Sequence, residues 1–125
     1  MALIKANLAN NGGGVQVKSV LAQANQLSTS TPFQIQCDFE PKYVFLYLIR
    51  SLTNYPAVVY YLDFQNNKYH YTGSGSLTNF EVVGTQMPSW ASVSGNTFNY
   101  TASSSDQVQK TRFFVFSEVP DGVPT

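Results

Sequence analysis

The chain has 125 residues and a mass of 13.8 kDa, the size of one ordinary domain that can bury a core without staples. Charged residues make up 11% of it, against a usual share of about 25%, and seven acids balance seven bases, which excludes a field that would steer nucleic acid. A hydrophobic content of 43% excludes disorder, while one cysteine, Cys37, and one histidine, His70, exclude an internal disulfide framework and a multi-histidine metal site. Polarity comes instead from 13 Ser, 10 Thr, 10 Asn and 9 Gln.

Residues 1–14 read as a short flexible arm. Met1 to Asn7 holds no apolar stretch of the length a signal peptide needs, and Asn10-Asn11-Gly12-Gly13-Gly14 breaks the chain before the body. Val17, Val20, Leu21, Ala24 and Leu27 fall near helical spacing, yet Val15, Val17 and Leu21 also fit one face of a strand. Both readings stay open, with the strand favoured by the strongly β character of the remaining chain.

From residue 33 onward strand signals dominate. Phe33, Ile35, Cys37 and Phe39 alternate with Gln34, Gln36 and Asp38, as in a half-buried strand with Cys37 a small inward hydrophobe. Tyr43 to Ile49 is apolar on both faces, which predicts a central strand or one face turned to a partner. Further strands are expected over Val58 to Phe64, Tyr69 to Thr72, Phe80 to Val83, Trp90 to Val93, Phe98 to Ala102 and Arg112 to Ser117, with a tight hairpin at Gly95-Asn96. The expected fold is all-β: a single antiparallel sandwich, jelly-roll-like, over residues 15–118, followed by a tail over 119–125. No run approaches the roughly 18 apolar residues of a membrane-spanning helix.

Chemistry has little raw material here. Of the acids, only Asp63 and Glu81 lie within strands near aromatics, and they are the pair a small glycan hydrolase would use. Closing a hairpin at Asn66-Asn67 would put Asp63 opposite His70, with Leu62, Phe64, Tyr69 and Tyr71 on the core face and Tyr61, Asp63 and His70 on the other. No Gly-x-Ser-x-Gly elbow accompanies that pair, so it reads as a surface contact rather than part of a triad. The eight Tyr, nine Phe and one Trp are the stronger lead, since they exceed what a thin sandwich needs for its core. Tyr61, Asp63, His70 and Trp90 are the candidates for a sugar-binding platform. Tyr43, Phe45, Tyr47, Phe113 and Val115 are the candidates for an oligomer interface. Neither a metal nor a cofactor is called for.

The segment Phe33-x-Ile35-x-Cys37-x-Phe39-x-Pro41-Lys42-Tyr43-Val44-Phe45 resembles the start of small β-sandwich domains in tail-fibre, receptor-binding and other structural proteins of phages and prophages. Val93 to Tyr100 is similar to the hairpin before their last strands, and Phe113 to Phe116 to their closing aromatic strand. The resemblance implies a non-enzymatic virion protein for host-surface adsorption or particle decoration, assembled in the bacterial host cytoplasm. It implies a homo-oligomer, most often a trimer, joined to other virion proteins through the N-terminal arm. A host-surface glycan is a partner in keeping with it; nucleic acid and membrane insertion are not. A stand-alone carbohydrate-binding module is the alternative.

Overall fold

The computed structural model describes residues 14–50, 57–72, 81–84, 87–102 and 108–123. The N-terminal arm before Gly14, Phe80, and the loops at Gly73–Ser76 and Ser103–Asp106 lie outside them. Within the described residues the chain forms β1 (Val17–Gln23), a 3-10 turn (Ala24–Gln26), β2 (Phe33–Gln36), β3 (Tyr43–Arg50), β4 (Ala57–Asp63), β5 (Lys68–Thr72), β6 (Glu81–Gly84), β7 (Ala91–Ser94), β8 (Thr97–Tyr100) and β9 (Val108–Phe116). All pairings are antiparallel. They build a six-stranded sheet in the order β1-β9-β3-β4-β5-β6 and a three-stranded sheet in the order β2-β8-β7. This is the expected antiparallel sandwich, with the strands divided six and three and β3 to β6 running as a meander.

The two sheets meet across alternating residues. Phe33 and Ile35 of β2, Ala91 and Val93 of β7, and Phe98 and Tyr100 of β8 face Val44, Leu46 and Leu48 of β3, Leu62 of β4, and Phe113 and Val115 of β9. Phe113 is the hub, with its ring centroid 5.7 Å from Phe33, 6.0 Å from Phe98 and 5.4 Å from Tyr100. The outward residues of the smaller sheet are polar: Gln34 Nε2 donates to Asn99 Oδ1, and Asn99 Nδ2 to Ser92 Oγ. The run from Tyr43 is central, as its two apolar faces required, between β9 and β4.

The open region 15–27 resolves as edge strand β1 plus a single 3-10 turn. Its inward residues are Val20 and Ala22, whereas Leu21, 37% exposed, faces outward with Val17. β1 exists because β9 supplies a full seven-residue ladder, a long-range partner that outweighs local helical spacing. At the other end of the sequence, Ser117 N–H donates to the Gln16 carbonyl and its Oγ accepts from Gln16 N–H. Gln16 and Ser117 therefore lie side by side at one end of the large sheet.

Two turns set the registers. Gly95-Asn96 closes β7 onto β8 as a two-residue loop, with positive φ at Gly95 (59°) and not at Asn96, the type II′ pattern. The β4–β5 loop has four residues, Phe64 to Asn67, instead of the expected two, and Asn67 takes the left-handed backbone (φ 54°). Lys42 explains the length. Its carbonyl accepts from the N–H groups of Phe64 and Gln65, which holds both residues against the start of β3. Cys37 is half-buried beyond the end of β2 and packs against the core; burial raises its thiol pKa, Lys18 acts against that and Asp38 adds to it.

Candidate functional site

The alternation in β3 sorts its side chains by chemistry. Val44, Leu46 and Leu48 point into the core, and Tyr43, Phe45, Tyr47 and Ile49 point to the opposite face of the large sheet. The registers then line up further rings on that face. Phe45 is paired with Tyr61 of β4 on one side and Phe114 of β9 on the other, and Tyr43 with Phe116. Phe45 meets Tyr61 edge to face at 4.8 Å and Phe114 at 5.6 Å, and stacks near Tyr47 at 6.5 Å. Tyr43 and Tyr61 are 6.5 Å apart. Thus β3, β4 and β9 carry a hydrophobic core on one side and a connected set of rings on the other. Phe45, Tyr47, Tyr61 and Phe114 are half-buried, while Tyr43 and Phe116 are buried.

At the near end of this face the polar groups serve the turn. Asp63 has no exposed surface; its Oδ1 accepts from Asn66 N–H at 3.0 Å and its Oδ2 from Asn66 Nδ2 at 2.8 Å. Burial, reinforced by Asp63, pushes the Tyr43 phenol well above its ordinary range, and burial raises Tyr61 as well. His70 is 6% exposed and its Nδ1 is buried without a hydrogen-bond partner.

Burial and then Lys68 hold the His70 imidazole below its ordinary value of 6.5, with Asp63 opposing them. The folded chain binds this proton less readily than the unfolded chain does. The histidine's contribution to stability is therefore complete above the unfolded value near 6.5 and is lost as pH falls toward the lower folded value. Between about pH 7.5 and about pH 5, the denaturation midpoint of the native chain should fall more steeply than that of His70→Phe. Parallel profiles would show that His70 does not carry the effect.

The structure divides the residues expected to form a sugar platform. Tyr61, Asp63 and His70 share one side of the large sheet, as expected, but Asp63 and His70 are buried there and not the exposed surface pair the sequence suggested. Trp90 does not join them: it packs on the core side, 4.9 Å from Tyr60 and 5.6 Å from Tyr100. The cross-strand partner of His70 is Tyr61, and that of Asp63 is Lys68. The longer loop moves the register by two residues, which changes every partner and leaves every face as expected. Glu81 lies on β6, two strands from Asp63, with Tyr71 as its register partner, whereas that of Asp63 is Lys68.

The expected interface is also corrected. Tyr43, Phe45 and Tyr47 do face outward, but Phe113 and Val115 are fully buried core residues. The outward residues of β9 are Phe114 and Phe116, which the sequence reading missed. A signal for them was present: Lys110 and Arg112 share their parity, and a buried parity would not carry two unpaired cations.

Among the described residues no three of His, Cys, Asp and Glu gather as a metal-holding group, and no helix is long and apolar enough to cross a membrane. What the outward face offers is apolar contact with polar edges, the composition of a packing surface. No protein-family model, curated protein or solved structure matches the chain, so its functional reading rests on this geometry and on the sequence.

Proposed function

We propose that the chain is a non-enzymatic structural component of a phage or prophage virion that serves host-surface adsorption or particle decoration. It acts as a homo-oligomer, with three copies favoured, and is assembled in the bacterial host cytoplasm. The observation that carries this reading is the second aromatic face, formed by Phe45, Tyr47, Tyr61 and Phe114 on a sheet whose core is already complete on its other side. Rings placed this way favour assembly, because they add apolar area for a neighbour without being needed for the fold. The uncharged amide and hydroxyl face of the smaller sheet suits a particle surface exposed to solvent. The phage-like motif from Phe33 to Phe45 gives the setting. The stand-alone sugar-binding alternative needs Tyr61, His70 and Trp90 on one platform, and Trp90 packs on the opposite side of the sheet from the other two.

Particles released by lysis of a strain that encodes this chain provide the test. The chain should sediment with purified particles and be detected there by mass spectrometry. Its recovery only in the particle-free supernatant would refute the virion assignment.

A further inference from the structure

We propose that His70 is an acid-sensitive latch for edge strand β6: a proton on its covered imidazole releases β6 from the large sheet while the sandwich behind it stays folded. The ring is buried, and its Nδ1 meets no hydrogen-bond partner. An imidazolium carries hydrogen on both ring nitrogens, so charging the ring puts a donor at Nδ1 where the fold supplies no acceptor. The groups around the ring do not compensate. On β4, Tyr61 is its cross-strand partner, with Tyr43 of β3 6.5 Å behind, and burial keeps both phenols protonated. Asp63, also on β4, attracts the proton, but both of its oxygens accept from Asn66. On β5 itself, Lys68 repels a second cation more than Asp63 attracts it. On β6 the register partner is the uncharged Val82, and the strand's one ionisable residue, Glu81, stands opposite Tyr71.

Water reaches a charged ring by the opening that breaks least. β6 ends the six-stranded sheet, and among the described residues it pairs with β5 alone. Its register covers only Tyr69, His70 and Tyr71, and it shifts between Tyr69 and His70, so the ladder is already interrupted at the histidine. On the other flank, β5 is held to β4 in unbroken register from Val59 to Asp63, and β4 in turn to β3. Opening there would split the sheet through its middle. A short edge strand with an interrupted ladder opens at a fraction of the cost of global unfolding. The proton shifts that balance because the imidazole binds it more readily once β6 has moved away: burial and Lys68 oppose the charge in the closed strand, and solvent accepts it in the open one. The latch belongs to the fold and is independent of the virion assignment.

The test is amide hydrogen exchange of the full chain at about pH 7.5 and about pH 5, read by mass spectrometry and corrected for the intrinsic pH dependence of exchange, for the native protein and His70→Phe. Exchange from β6 of the native chain should rise by at least about 5-fold on acidification, toward a linkage limit of about 30-fold for a group whose ordinary value is 6.5. β3 and β9 should keep their protection, and His70→Phe should show no rise. Four results overturn the latch: β6 amides unprotected already at the higher pH, no rise in the native chain, a rise shared by β3 and β9, or a rise that folded His70→Phe retains. If His70→Phe does not fold, proton magnetic resonance of the native chain decides. His70 is the only histidine, so one ring signal reports its charge. That signal should titrate below 6.5, and titration at or above 6.5 refutes the latch. Neither measurement needs a particle, so the latch can fail while the chain is found on virions, and the reverse.

Discussion

Phe113→Ala should destabilise the fold by about 3–5 kcal/mol, the cost of removing a large buried ring from a core that cannot fully close around the gap. Phe113 has no exposed surface, and three rings from the smaller sheet, Phe33, Phe98 and Tyr100, pack around it. Its loss leaves a cavity between the sheets, where both backbones are held by their own ladders and relax little. Thermal unfolding should show the melting temperature falling by about 10–20 °C. The neighbouring Phe114→Ala should cost much less stability, because Phe114 is half-buried on the other side of the sheet. Similar losses for the two adjacent substitutions would contradict the division of β9 into an inward and an outward side.

The second large effect is expected at Asp63. Asp63→Ala removes both acceptors of Asn66 and leaves a backbone N–H without its partner at a buried turn, a loss of about 1.5–3 kcal/mol for a charge-assisted bond of this kind. Asp63→Asn keeps one carbonyl acceptor in the same place and should recover part of that stability. Urea unfolding of the three proteins checks the order native, Asn, Ala. If Asp63→Ala were as stable as the native chain, the carboxylate would not be holding the turn. The same geometry explains why Asp63 is a poor acid for hydrolysis, since both of its oxygens accept from Asn66 and none of its surface is exposed.

Individual elements show how far the sequence could be read. β2 was legible because Phe33 and Ile35 alternate with glutamines, and only one of its faces can be buried. The β7–β8 hairpin was legible because Gly95 supplies the positive φ that a two-residue loop needs. The β4–β5 loop was misread by two residues because its length depends on the Lys42 carbonyl, a partner more than twenty positions away. Faces survived that error, since a shift of two preserves parity; cross-strand partners did not. Trp90 carried no usable signal, because it precedes β7 and its direction is set by the way the smaller sheet covers Tyr60.

Composition and alternation thus determined the class of fold, the central place of β3 and the polar outward side of the smaller sheet, because burial acts on each strand through its own residues. They also determined that there are more rings than one core can use. Which rings were left over was decided only by the tertiary structure. In β9 the run Phe113 to Phe116 is apolar at both parities, and although Lys110 and Arg112 share the parity of Phe114, the choice between Phe113 and Phe114 was made by the pairing with β3 and by the smaller sheet lying across one side. The low charge of the chain takes its place in the same picture, since one face of the large sheet packs the core and the other is largely rings. The buried core face leaves little room for ions, whose desolvation would cost more than isolated pairs return.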